Sequence, residues 1–213
     1  MSDLNLPNAI TTFRIVLAPV AAILLLQPHS SSRLLAMGVF LIAALSDLVD
    51  GALARQRGEV TDFGTLVDPI ADKMLLVCTL IPFYFLTSAD PGLGRIPLFG
   101  SVGLWILVLI FGREIAVTWM RTGSARRGVV MPAQQSGKYK TFSQNVFIGS
   151  MILWLAFRTE AISAGWSGKL NTSWEFIHGW FTTASLIAAL GLTVYSFIVY
   201  LAVFQRLPRE PAA

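Results

Sequence analysis

Charge is scarce in this chain of 213 residues: 13% are Asp, Glu, Lys or Arg, where soluble domains carry roughly a quarter. With 54% apolar residues and a mean hydropathy of +0.65, that shortage excludes an ordinary soluble domain. Cysteine is nearly absent. Cys78 stands alone inside an apolar block, so no intramolecular disulfide can form. A cleavable leader is not expected either, since Met1 to Asn8 lacks a positive segment and contains Asp3. No soluble domain, internal repeat or low-complexity tract interrupts the pattern, and residues 1–213 read as a single integral membrane unit.

What is present is apolar sequence in blocks near the roughly 20 residues a bilayer span needs. Six helical spans are predicted, at about 9–26, 34–54, 66–86, 98–120, 142–162 and 180–204, giving an all-α, polytopic membrane protein. The net charge of +4 matters less than where its members sit. With both termini in the cytoplasm, Arg55, Arg57, Arg121, Arg126, Arg127, Lys138, Lys140, Arg206 and Arg209 all fall inside, leaving Arg33, Arg95, Arg158 and Lys169 outside. This is the bias the positive-inside rule describes. Trp166, Trp174 and Trp180 suit an interfacial aromatic belt or, equally, helix caps.

Asp47, Asp50, Asp68 and Asp72 lie in or beside the second and third spans, where ionisable groups are costly and function is the default reading. Pairing with Lys73 is the bland alternative, but one lysine cannot neutralise four carboxylates. At about 100° per residue, Asp47, Asp50, Gly51 and Ala54 share a helix face with Arg55 at its edge. Gly64, Asp68 and Asp72 line a stripe of the next helix, and the short connection makes the two helices antiparallel neighbours. Carboxylates without His or Cys suit a hard cation such as Mg²⁺, Mn²⁺ or Ca²⁺, and without one they repel. Gly51, Ala54 and Gly64 leave room for a phosphate-bearing ligand, which Arg55 can grip bidentately. Close helix packing would explain the small residues singly, but not the whole constellation.

The string from Asp47 to Asp72 matches D-x2-D-G-x2-A-R-x8-G-x3-D-x3-D at every fixed position. It resembles the signature of the CDP-alcohol phosphatidyltransferases, a specific match compared with a lone glycine-rich loop. The resemblance implies that family's six-helix fold and a two-metal transfer, with two Mg²⁺ or Mn²⁺ ions. By resemblance, Asp47, Asp50 and Asp68 are metal ligands, and Asp72 lies close to the metals and acts as general base. Gly51, Ala54, Arg55 and Gly64 shape the CDP-lipid pocket. The resemblance also implies a homodimer. The short length without a transit peptide points to a bacterial inner membrane. The site is expected to face the cytoplasm, where its substrates are available, and no nucleic-acid partner is expected.

Shorter segments, residues 5–14, 68–73, 112–115 and 137–141, resemble the phosphatidylglycerophosphate synthase branch, which joins CDP-diacylglycerol to glycerol 3-phosphate. An acidic site repels a phosphate-bearing acceptor, so a basic anchor is required. Arg113 and Lys138 are the leading residues for it, followed by Lys140, Arg121 and Arg14. The alternative reading pairs Arg113 with Glu114, although adjacent helical residues do not face each other. Arg126 and Arg127 suit anionic lipid at the surface. The basic set argues against serine or free inositol as acceptor and leaves inositol phosphate and phosphatidylglycerol open. A cation transporter would explain the aspartates alone, and an inactive scaffold is at odds with an intact motif.

Overall fold

The computed structural model describes residues 6–57, 62–126, 129, 131, 132 and 134–206, and within its helices leaves aside the side chains of 6–9, 47–57, 62–69 and 72. Among the described residues the chain is all-helical: α1 (Leu6–Leu26), α2 (Ser30–Arg57), α3 (Asp62–Ala89), α4 (Pro91–Gly94), α5 (Leu104–Ala125), α6 (Gln135–Ser163) and α7 (Lys169–Arg206). The long helices α1, α2, α3, α5, α6 and α7 cover the six predicted segments. Two of them, α6 and α7, are continuously long and apolar enough to cross a membrane; α1, α2 and α3 carry shorter apolar stretches, Ile10–Leu26, Ser30–Ser46 and Lys73–Ala89.

Three helix starts differ from expectation by more than five residues, among them the fifth segment, which begins at Gln135 rather than 142. The fourth segment starts at Leu104 rather than Leu98, because a tight turn intervenes. Ile96 and Gly100 form an isolated antiparallel bridge, with Leu98 and Gly100 at φ 68° and 70°, a left-handed conformation that no helix continues through. The sixth segment begins at Lys169 rather than 180, so Trp174 lies on a helix and not in a loop. Trp174 stacks on buried Trp154 at 5.3 Å between centroids, whereas Trp166 and Trp180 remain exposed.

The helices close a ring in which α1 packs on α2, α2 on α6, α6 on α7, α7 on α5, α5 on α3, and α3 on α1. Over the described residues α1 lies against both α2 and α3, which share no comparable interface of their own. The expected neighbouring of the acidic helices therefore runs through α1. Inside the ring, Leu80, Phe83, Ile106, Ile110, Phe147 and Met151 are fully buried, and Phe83 meets Phe147 edge to face at 6.3 Å. Outside it, large apolar side chains face away from the protein, among them Val16, Ile23, Leu35, Val108, Ile115, Trp119 and Phe142.

One end of the ring is sewn together by side chains that donate to main-chain carbonyls. Arg33 donates to Leu25 and Leu155, Arg158 to Gly92 through Nε and Nη2 (3.2 and 2.8 Å), and Trp154 Nε1 to Leu93 at 3.0 Å. Thr183 donates to Pro97 at 2.9 Å, and Arg158 also pairs with Glu175. Arg33 and Arg158, expected as outer charges, are thus buried structural donors. The opposite end, where α3 and α6 begin and α5 and α7 finish, carries a different kind of polar cluster.

Candidate active site

Asp47, Asp50, Gly51, Ala54 and Arg55 lie on α2, and Gly64, Asp68 and Asp72 on α3. Their side chains are outside the described residues. Among the described residues no group of three or more His, Cys, Asp or Glu is placed to hold a metal ion. The donor set of the motif, oxygen ligands alone on α2 and α3, fits a hard divalent cation and gives zinc none of the nitrogen or sulfur ligands it favours.

Immediately after Asp72, the description resumes in a basic cluster. Lys73 on α3 donates to Thr118 on α5 at 2.8 Å. One helical turn before Thr118, Glu114 receives two cations on the same oxygen, Arg113 Nη1 at 2.9 Å and Lys140 Nζ from α6 at 2.5 Å. Arg113, Glu114 and Lys140 are largely withdrawn from solvent, with side-chain exposures of 8%, 17% and 7%. Charges this far from water persist only when paired. Arg113 Nη2 donates to Ser196 on α7 at 2.6 Å, while its buried Nε has no hydrogen-bond partner among the described residues.

The alternative weighed for Arg113 is therefore the one realised: it does pair with adjacent Glu114. The two side chains leave the helix about 100° apart, yet the long arginine bends back far enough to meet the carboxylate. That pairing does not remove Arg113 from the cluster, because Glu114 ties it to Lys140. Lys138, ranked ahead of Lys140 from sequence, is exposed, whereas Lys140 is buried at the cluster. Two residues on a helix separate them by about 200°, which sends them to opposite sides of α6. Arg121 reaches the same end of α5 and donates to the Tyr200 hydroxyl at 2.6 Å. Arg14 is buried on α1 and engaged within the fold. Arg126 is exposed, in keeping with a surface role, and Arg127 lies outside the described residues.

Lys73, Glu114, Lys140, Thr141, Gln144 and Asn145 line a polar cavity of about 90 Å³ between α3, α5 and α6. A cavity of this size holds a few small polar groups and no lipid chain. Sequence reasoning missed Gln144, Asn145, Ser196 and Tyr200, because single uncharged residues in apolar helices carry no spacing signal. Glu114 was visible only as a partner for Arg113. A second groove, apolar and about 250 Å³, runs between α5 and α7 past Val108, Leu109, Ala116, Val194 and Phe197, with Arg113 at its edge.

Comparisons with known proteins place the chain by family. The chain is 41% identical over 152 residues to a probable phosphatidylglycerophosphate synthase of Mycobacterium tuberculosis, a match covering 70% of this chain and 66% of that protein. It is 36% identical over 161 residues to a CDP-diacylglycerol–glycerol-3-phosphate 3-phosphatidyltransferase of Bacillus subtilis, covering 70% and 77%. A protein of the same name from Pseudomonas fluorescens matches at 30% over 201 residues, covering 93% and 89%. The match to the mycobacterial relative thus spans just under two thirds of that protein's length. The family model of the CDP-alcohol phosphatidyltransferases matches residues 4–204, and with nearly every described helix inside that range, the chain belongs to this family.

Proposed function

We propose that this protein transfers the phosphatidyl group of CDP-diacylglycerol to glycerol 3-phosphate, releasing CMP and forming phosphatidylglycerol phosphate in phospholipid biosynthesis. The observation that carries the acceptor half is the buried basic cluster beside the acidic motif: Arg113 and Lys140 share Glu114 next to a small polar cavity whose wall includes Lys73, the residue after Asp72. The relatives' names support both the donor and the acceptor.

In this reading residues 1–213 form one catalytic unit with six membrane-spanning helices, both termini and the site on the cytoplasmic side, in a bacterial inner membrane, working as a homodimer. The apolar side chains that α1, α2, α5 and α6 turn outward are compatible with a lipid surround. Asp47, Asp50, Asp68 and Asp72 hold two divalent ions, Mg²⁺ or Mn²⁺, which when bound neutralise the diphosphate and the departing CMP. Gly51, Ala54 and Gly64 keep the helix surfaces open to the cytidine diphosphate, and Arg55 grips a phosphate. Arg113 and Lys140 bind the acceptor phosphate, with Arg121 and Arg14 around them, while Lys138 stays on the exposed side of α6. Asp72 takes the proton of the acceptor's primary hydroxyl, whose oxygen attacks the lipid-side phosphorus. The bond to the CMP phosphate breaks, and CMP leaves.

The test is CMP release from purified protein given CDP-diacylglycerol, Mg²⁺ and a choice of acceptors. Release that depends on glycerol 3-phosphate is expected. Release only with inositol phosphate or phosphatidylglycerol would overturn the acceptor assignment and keep the chemistry. No release with any acceptor, joined to cation flux in liposomes, would point to transport instead. Asp72→Asn is expected to abolish turnover while CDP-lipid binding persists, and near-normal turnover would remove its role as base.

A further inference from the structure

Tyr200 stands where α5, α6 and α7 meet at the proposed acceptor site, and neither motif nor spacing draws attention to it. It is buried on α7, 3% exposed. The Arg113 guanidinium lies over its ring at 5.3 Å from the centroid, and the Arg121 guanidinium at 5.1 Å. Its hydroxyl accepts from Arg121 Nη2 at 2.6 Å and from the backbone N–H of Gln134 at 3.2 Å. Gln134 immediately precedes α6, the helix that delivers Lys140. One helical turn back on the same face of α7, Ser196 accepts from Arg113.

Two guanidinium groups drawn to one ring repel each other, and an aromatic quadrupole with a hydroxyl acceptor offsets that repulsion. The side chain does more than fill space. Leucine would fill part of the same volume and satisfy none of these donors. We propose that Tyr200 is a positioning residue, which holds Arg113 and Arg121 as a pair and fixes the start of α6 so that their charges converge on the phosphate of the acceptor. The proposal rests on the acceptor reading given above, and it makes a claim that reading does not contain: phosphate affinity depends on an uncharged residue that does not touch the phosphate.

The experiment compares wild type, Tyr200→Phe and Tyr200→Leu in lipid nanodiscs by two readouts. Steady-state kinetics give KM for glycerol 3-phosphate, KM for CDP-diacylglycerol and kcat. Phenylglyoxal labelling followed by peptide mass spectrometry gives the modification rate of Arg121. Tyr200→Phe, which keeps the ring and loses the acceptor oxygen, is expected to raise KM for glycerol 3-phosphate roughly threefold to tenfold. Tyr200→Leu is expected to raise it further, with KM for CDP-diacylglycerol and the melting temperature of the Phe variant unchanged. Arg121 is expected to label several times faster in the Leu variant. An unchanged KM for glycerol 3-phosphate in both variants overturns the proposal, as does an equal loss in every kinetic parameter, which marks a purely structural residue. If wild type releases no CMP with glycerol 3-phosphate, the acceptor reading fails by itself. The labelling rates then decide whether Tyr200 holds the arginine, and equal rates in wild type and the Leu variant reject that too.

Discussion

Glu114 carries the tension of the basic cluster in a single side chain: its carboxylate compensates both Arg113 and Lys140. Removing one member of a buried ionic group costs about 3–5 kcal/mol, because the remaining charge is stranded. Glu114→Leu is therefore expected to lower the melting temperature in nanodiscs sharply. Glycerol 3-phosphate, which can stand in as the missing anion, should recover more of that loss than it adds to wild type, and equal shifts in the two proteins would count against the acceptor site. On the facing helix α6, the two lysines separate cleanly. Lys140→Met deletes a charge-assisted bond of about 1.5–3 kcal/mol, so kcat/KM for glycerol 3-phosphate is expected to fall roughly 10- to 150-fold. Lys138→Met, at an exposed position, is expected to stay within about threefold, as surface substitutions do. The sequence made Arg113 and both lysines legible as basic residues near the site, since a cation in an apolar stretch stands out. Their ranking was not legible, because it depends on which side of α6 faces α5, and that is decided by packing across the ring.

Among the elements, the six long helices were readable from apolar block length, and α4 with its following turn was not. Short polar connections look alike in sequence whether they form a loose loop or a fitted plug. Here Asp90 caps α4 by accepting from the Gly92 N–H at 2.8 Å, and Thr87 accepts from the Val102 N–H at 3.0 Å. Gly94 is the tightest point of that plug: a Cβ there would lie 2.7 Å from the Gly100 carbonyl oxygen and 3.2 Å from that of Thr87. Both neighbours are backbone and cannot swing aside. Gly94→Ala is expected to destabilise the protein by about 1–3 kcal/mol through overpacking, read as a lower melting temperature. KM for either substrate should hold, because the strain is at the end of the ring away from Glu114. A shift in KM without loss of stability would mean that the two ends are coupled.

At the scale of the molecule, residue types and spacing made the acidic motif legible as a candidate hard-cation site with room for a phosphate-bearing ligand. The family resemblance added the transfer reaction, whereas the ring order was legible from neither. Nothing in the Gln56–Phe63 connection tells that α1 packs against both α2 and α3, since sequence neighbours need not be the tightest neighbours in a bundle. The proposed orientation has a direct check. In a Cys78→Ser background, which is free of cysteine, Lys138→Cys should react with an impermeant maleimide only in inside-out vesicles. Leu170→Cys, at a residue 89% exposed, should react only in intact cells. Labelling of both from one side would rule out the proposed odd number of crossings between them. Chelation by EDTA should abolish CMP release and added Mg²⁺ restore it, while activity that survives chelation would dismiss the metal-holding role of the aspartates.

The contrast between the two ends of the ring bears on how sequences of this kind can drift. At the far end, Arg33, Arg158, Trp154 and Thr183 all bond to main-chain carbonyls, which most residues supply equally well. The bonds themselves place no demand on the accepting side chains, and Leu25 and Leu155 are held instead by their burial in the core. At the other end the partners are side chains on both sides: Arg113 with Ser196, Lys140 with Glu114, Arg121 with Tyr200. There a change in one member must be answered by a change in the other. Across related chains, covariation should therefore be denser at the pole of side-chain pairs than at the opposite pole, where Arg158–Glu175 is one such pair among donors that face main-chain carbonyls.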